Sequence, residues 1–284
     1  MKHKVLFLLI AIALTGCSLS NNKTSDPSKD TRQNYGVFLG ASDSDVERIS
    51  QYKKVMIDID EFSDKSISYL KDKNCEIYAY LSVGSLEKYR SYYDEFKDYT
   101  FMDYDNWPDE RWIDVSQKSW QSLLDNEAKR FKQKGASGLF MDNFDVYYIV
   151  NEEYECSQSF KDGIYQGCVD ILTNFSKLDL KLLINSGTDL LERLNEVNKT
   201  LLKKINCYTQ ECVYSMIDDY EHDKFSKQDQ ETQDYYKSII SFMKSSADIL
   251  LLEYTIDESL IKQIKDYCDS NGFYYYISST VGLK

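Results

Sequence analysis

The chain has 284 residues, 47 acidic side chains against 34 Lys plus Arg, a formal net charge of −13, two histidines and seven cysteines. That carboxylate excess repels nucleic acid and other polyanions, which excludes them as partners and favours a neutral or cationic one. With His3 in the leader, only His222 is left for a Ser-His-Asp triad, and neither a Gly-x-Ser-x-Gly elbow nor a His-Glu-x-x-His zinc motif is present.

Lys2, His3 and Lys4 precede a short apolar run over residues 5–14, which ends in Leu14-Thr15-Gly16-Cys17. Charge, length and small residues together have the form of a secretory signal covering residues 1–16. The Leu-Thr-Gly-Cys ending resembles a bacterial lipobox. That resemblance implies cleavage before Cys17 and a diacylglycerol on its sulfur, so that the protein is exported and lipid-anchored to the cell membrane. Residues 17–33 are rich in Ser, Asn, Asp and Lys and form an expected tether, because they cannot bury enough apolar surface to offset their ordering entropy. Loss of Lys2 and Lys4 leaves 32 basic residues against 47 acidic ones, a charge of −15. Residues 34–284 show no second linker and no internal repeat, and are expected to form one domain, acting as a monomer.

Eight short apolar or β-branched runs follow, at residues 35–41, 55–60, 76–84, 137–143, 181–187, 205–211, 248–254 and 273–279. Their centres read as strands covered on both faces. Helical spacing fills the intervals. Trp120, Leu124, Ala128 and Phe131 follow an expected capping box at Asp114-x-x-Gln117, and Gly135 stands where a C-terminal cap belongs. Further stripes are Phe160, Ile164, Cys168, Ile171 and Phe175; Leu190, Leu194, Val197 and Leu201; and Leu260, Ile261, Ile264 and Tyr267, after Thr255-x-x-Glu258. Strand and helix alternating eight times predict an α/β fold of the (β/α)8, TIM-like barrel class. The alternative, a doubly wound open sheet, lacks a Gly-x-Gly-x-x-Gly turn. Six cysteines remain beyond Cys17; export permits disulfides, and Cys156 with Cys168 is the expected pair, against a reading of all six as buried apolar side chains.

Active sites of such barrels lie at the C-terminal ends of the strands. Those ends carry Asp58 and Asp60, Tyr80 and Ser85 with Arg90 beyond, Asp142, Asn143 and Asp145, Asn185, Glu211, and Glu253 with Tyr254. Asp142 and Glu211 are the candidate catalytic acids, and the others are candidate substrate-binding groups. The segment between Ser85 and Trp112 reads as a long aromatic loop, with at least two thirds of its rings packed onto the barrel. No metal or cofactor is expected.

The segments Tyr80-Leu81-Ser82-Val83-Gly84 with Tyr89-Arg90, Trp112-Ile113-Asp114-Val115 with Trp120, Gly138-Leu139-Phe140-Met141-Asp142-Asn143-Phe144-Asp145, Ile184-Asn185-Ser186-Gly187 and Gln210-Glu211-Cys212-Val213-Tyr214 occur in one order. In that order the chain resembles glycoside hydrolase family 114, the endo-α-1,4-polygalactosaminidases, from Tyr35 to the C-terminus. The resemblance implies a TIM-like barrel, internal hydrolysis of an α-1,4-linked galactosamine polymer, and Asp142 and Glu211 as the catalytic pair. A retaining reaction with Asp142 as nucleophile and Glu211 as acid/base is the expected mechanism, with the exchanged assignment open. Two departures, Ser85 in place of an acid after Gly84 and Ser186 between Asn185 and Gly187, bear on sugar specificity more than on reaction type. The rival readings are a catalytically silent glycan-binding lipoprotein on the same barrel and a two-lobed solute-binding lipoprotein.

Overall fold

The computed structural model describes residues 33–284. The expected signal, the lipidation site Cys17 and the tether up to residue 32 lie outside them. Eight parallel strands form one sheet: β1 (Gln33–Phe38), β2 (Tyr52–Ile57), β3 (Glu76–Ser82), β4 (Gly138–Asp142), β5 (Lys181–Asn185), β6 (Cys207–Glu211), β7 (Asp248–Tyr254) and β8 (Tyr274–Ser278). Each pairs in parallel with its neighbour in chain order, as successive β/α units dictate. The sheet curls into the expected (β/α)8 barrel, and its two ends meet through rings. Tyr276 of β8 packs edge-on against Tyr35 and Phe38 of β1, with centroids 6.3 and 5.4 Å apart. No β1–β8 ladder is present among the described residues.

Residue parity decides what enters the barrel. Tyr35, Val37, Met56, Tyr78, Tyr80, Phe140, Leu183, Cys207, Leu250 and Leu252 fill the interior. The alternate residues, such as Val55, Ile77, Leu139, Ile184, Tyr208 and Leu251, face the surrounding helices and form the larger core. That shell includes the helices Asp64–Asp72, Lys118–Lys134, Gln158–Phe175, Thr188–Val197, Gln230–Met243 and Glu258–Asn271. None of the helices among the described residues is long and apolar enough to cross a membrane.

Several local expectations are corrected. Residues 85–113 carry an antiparallel sheet of Ser85–Glu87, Thr100–Asp103 and Glu110–Ile113, not a plain loop. Six of its nine aromatic rings pack inward, leaving Tyr89, Tyr99 and Trp107 exposed. Asp114 does not cap the helix beginning at Lys118. It turns back to accept from the Ser116 N–H and the Gln117 amide, and Gln117 takes the cap position. The last helix starts from Asp257, whose carboxylate accepts from Ser259 N and Leu260 N, rather than from Thr255. The stripe ending in Val197 and Leu201 breaks at Asn198, so Val197 is exposed.

Cys156 and Cys168 are free thiols. Cys168 lies ten residues into the helix that starts at Gln158, roughly 15 Å along its axis at the usual rise, while a disulfide needs Cα atoms within about 7 Å. Its thiol is buried in the core, and that of Cys156 bonds the Val150 carbonyl.

Glu253 is the clearest case of parity overruling a rim position. It points outward from the barrel beside inward Tyr254 and is wholly buried. Its carboxylate accepts from Tyr214 N, Ser215 N and Ser215 Oγ at 2.6–3.1 Å, pinning the chain that leaves β6 to β7. The expected substrate-binding role for Glu253 is therefore replaced by a structural clamp. Glu253→Ala should strand three buried donors and lower unfolding free energy by about 3 kcal/mol in urea titrations, whereas Glu253→Gln, which keeps an acceptor, should lose roughly half as much.

Candidate active site

A cavity of about 650 Å³ opens at the C-terminal mouth of the barrel. Asp142, Asn185, Glu211 and Tyr254 reach it because each stands two residues beyond an inward side chain of its strand, namely Phe140, Leu183, Thr209 and Leu252. Asn185 sits between the two acids. Its single Nδ2 donates to Asp142 Oδ1 at 3.0 Å and to Glu211 Oε1 at 2.6 Å. Tyr254 donates its hydroxyl to Glu211 Oε2 at 2.9 Å, and the Asn143 N–H donates to Asp142 Oδ1 at 2.9 Å. Asp142 Oδ2 accepts no hydrogen bond among the described residues. Asn185 Oδ1 is buried without a partner.

The three strands that supply Asp142, Asn185 and Glu211 turn away in the same manner. The next residues, Asn143, Ser186 and Cys212, have φ of 65°, 51° and 56°. Only Gly, and less readily Asn, adopts this left-handed region at little cost, so the turns at Ser186 and Cys212 hold strain at the mouth. Gly84 serves the same corner differently: a Cβ there would lie 1.9 Å from the Asn143 carbonyl oxygen. The Tyr80–Gly84 segment therefore ends in glycine so that the two backbones can touch.

Burial raises both acids. Asp142 is pushed well above the usual carboxylate range by loss of solvent and by the charge of Glu211, against the opposing bond from Asn185. Glu211 is raised by burial, against its bonds from Asn185 and Tyr254. Two acids this close titrate as a pair and favour holding one proton between them. Asp145 is raised to about 6 by burial, although it accepts from the Gly187 N–H at 3.2 Å and so also fixes the start of the following helix.

Beside this pair stands a second acidic group. Arg90 bridges Glu87, Nε to Oε2 at 2.6 Å, and Asp58 at 3.0 Å, and Tyr89 donates to Glu87. Tyr80 lines the cavity over Phe140, with the Arg90 guanidinium 5.8 Å from its ring. Asn143 accepts from Tyr104 and donates to Ser82 and Ser85, and Ser85 donates to Glu110 at 2.7 Å. Burial raises Glu110 to about 7, with the neighbouring Glu87 charge adding to it and the Ser85 bond opposing.

Asp58, Tyr80, Asn143, Asp145, Asn185 and Tyr254 thus share one cavity with the two acids, while Ser85 and Arg90 stand behind its wall. Asp60 does not belong there. It lies outside the cavity, held by both guanidinium nitrogens of Arg130 at 2.7 Å. A strand-end position was its only signal, and β2 has already ended at Ile57. Sequence reading missed Glu110, Tyr220 and Tyr236. The first arrives on the inserted antiparallel sheet, and the others come from the hairpin Ser215–Asp219/Lys224–Lys227 and the helix after it, where no strand-end rule applies.

Two partly buried carboxyl groups, both raised and bridged by one amide at the same cavity, are equipped for acid/base and nucleophilic work at an acetal. The profile of glycoside-hydrolase family GH114 matches residues 17–280. The chain belongs to family GH114. It is a glycoside hydrolase. Among solved structures it is similar to the glycoside hydrolase domain of PelA from Pseudomonas aeruginosa, with TM-score 0.73 and 18% identity over 88% of this chain and 95% of that one. It is also similar to Aspergillus fumigatus Ega3, solved with galactosamine, with TM-score 0.65 and 18% identity over 90% and 93% of the two chains. The α-galactosidase TtGalA from Thermus thermophilus shares the fold at TM-score 0.56 and 7% identity, over 86% and 57%. No curated protein matches the chain in sequence.

The raised acids give the GH114 domain a definite pH dependence. A carboxyl group whose folded pKa exceeds its unfolded one stabilises the fold while protonated, and that contribution is lost as pH rises through the folded value. For Asp145, Glu110 and Glu253, raised to about 6, 7 and 7, the loss begins near the ordinary carboxylate range at about pH 4 and is complete just above about pH 7. Urea midpoints should therefore decline across that interval. Glu110→Gln should flatten the decline and stabilise the protein at pH 8 by on the order of 1–2 kcal/mol.

Proposed function

We propose that this GH114 enzyme cleaves a galactosamine-type polymer at internal α-1,4 linkages, by a retaining mechanism in which Asp142 is the nucleophile and Glu211 the acid/base. The observation that carries the substrate class is the lining of the cavity. Seven carboxylates reach it (Asp58, Glu87, Asp109, Glu110, Asp142, Asp145 and Glu211), and no Lys, Arg or His does. Arg90 offsets Asp58 and Glu87, and Asp109 is exposed beside Lys88, but Glu110, Asp142, Asp145 and Glu211 have no ion-pair partner among the described residues, and a chain of protonated amino sugars brings one cation per residue. The structure of Ega3 with galactosamine agrees with that chemistry. Exposed Trp107, Tyr220 and Tyr89 at the lip supply ring faces for sugar stacking.

The bridging amide supports retention. With one N–H of the planar amide aimed at each acid, about 120° apart, bonds of 3.0 and 2.6 Å correspond to acceptor oxygens roughly 5 Å from one another, which is compatible with the spacing of retaining pairs. The role assignment rests on what each acid touches, and it requires the shared proton to pass to Glu211 when substrate binds, because in the free site the charge of Glu211 favours the proton on Asp142. Asp142 has one oxygen fixed by two donors and the other open to the cavity, as an attacking group needs. Glu211 faces the Tyr254 hydroxyl, which can donate to a carboxylate or accept from the protonated acid, and so tolerates both states of a proton carrier. The Leu14-Thr15-Gly16-Cys17 ending supports export and anchoring through a lipid on Cys17.

Asp142→Asn and Glu211→Gln should each reduce reducing-end release from deacetylated galactosamine polymer by on the order of 10³-fold or more, without a matching loss of stability. On a substrate with a good leaving group, azide should rescue Glu211→Ala with retained anomeric configuration. Rescue of an Asp142 variant with retention instead would reverse the roles, and inverted product from the unaltered enzyme would end the retaining mechanism.

Substrate charge has its own check. Full N-acetylation of the polymer removes the cations and should lower kcat/KM at least about 100-fold, a loss of roughly 2.7 kcal/mol in transition-state binding. Equal rates on both polymers would remove the charge argument.

A further inference from the structure

The N-terminal rim of the barrel, opposite the catalytic mouth, has the reverse electrostatic character. The segments leading into strands β2 to β8, residues 50–54, 71–76, 132–138, 176–181, 203–207, 244–248 and 271–274, hold eleven lysines and four carboxylates. On a chain of net charge −13 this is a concentrated surplus of positive charge. The loops leaving the strands are its mirror image: residues 143–157 carry four carboxylates with no Lys or Arg, and residues 212–229 carry five with two lysines. Helix dipoles account for part of this, since cations suit helix C-termini and carboxylates suit N-termini. They do not account for Lys54 in β2 or Lys181 opening β5. Ion pairs such as Lys54–Asp248 and Lys181–Glu76 occupy the few acids of the rim. A concavity of about 360 Å³ brings Lys54, Lys181 and Lys244 together with Asn206 and Ser245. Lys203, Lys204 and Lys244 are exposed.

We propose that this lysine rim is a docking surface for anionic lipid headgroups, holding the catalytic mouth away from the bilayer. Two features agree. The charge is complementary to a membrane surface rich in anionic lipid, which attracts clustered lysines within a Debye length. The direction of the chain is also right: β1 begins at Gln33 and runs parallel to its neighbours, so the described domain starts on this rim, 16 positions after Cys17. The proposal takes its location from the anchored reading above, but not its charge. The acidic mouth then faces outward, where repulsion from the bilayer reinforces the orientation.

The test uses the full chain matured in a bacterial host and reconstituted with vesicles of phosphatidylcholine alone or with about one third phosphatidylglycerol. Lysine acetylation by a small water-soluble reagent is followed by mass spectrometry. Lys203, Lys204 and Lys244 should be modified several-fold more slowly on the anionic vesicles, and about 0.5 M salt should abolish the difference. Lys118 and Lys262, near the starts of their helices, should react equally on both. The triple variant K203E/K204E/K244E should cleave soluble substrate normally and lose the contrast. Equal rim reactivity on both vesicle types overturns the proposal. Should the chain fail to float with phosphatidylcholine vesicles, acylation is refuted. Salt-sensitive flotation with anionic vesicles then still supports the rim, and its absence overturns it.

Discussion

One amide nitrogen organises this site. Asn185 Nδ2 bonds both acids at once, so the spacing of the pair is set by the geometry of a single planar group rather than by two independent rotamers. The arrangement also distributes charge. An amide donor stabilises each carboxylate without supplying a full positive charge, leaving both acids raised by burial and able to hold a proton between them. A lysine in the same place would ionise both and remove the acid. Around this core the second group, Glu110, Ser85, Asn143 and Tyr104, ties the inserted antiparallel sheet to the strand bearing Asp142.

The barrel was legible in the sequence because its strands are buried on both faces and so appear as uninterrupted apolar runs. The acids were legible because they directly follow such runs. Where reading failed, it failed for reasons of parity and insertion. Glu253 and Tyr254 are adjacent, and strand-end position alone cannot choose between them, yet one clamps the fold and the other touches Glu211. Counting in twos from Leu250 and Leu252 separates them. Asp60 stood one register beyond anything β2 could present inward. Glu110 had no local signal at all, since it reaches the cavity from a strand inserted between β3 and β4 and pairs there with residues about 25 positions earlier. The disulfide expectation ignored the length of the helix that separates Cys156 from Cys168.

The left-handed turns after Asp142, Asn185 and Glu211 belong to the same design. Left-handed backbone at Ser186 and Cys212 costs of order 1 kcal/mol each, which the packed barrel beneath sustains. The kink lets the chain leave each strand immediately after its functional side chain, keeping the cavity open instead of roofing it with the next loop.

The seam between β1 and β8 carries a mechanical consequence. A ring of strands joined everywhere by ladders can widen only by breaking many backbone bonds, but between β1 and β8 the described residues have no ladder, only ring contacts and, just past the strands, one bond from Gly40 N–H to the Leu283 carbonyl at 3.3 Å. Edge-on contacts are worth about 0.5–1.5 kcal/mol apiece, which makes this the softest joint between neighbouring strands of the sheet. The residues just past the joint, Leu39 and Gly40 after β1 and Val281 to Leu283 after β8, form one wall of the catalytic cavity. Compliance in the hoop is thereby delivered at one side of the cleft.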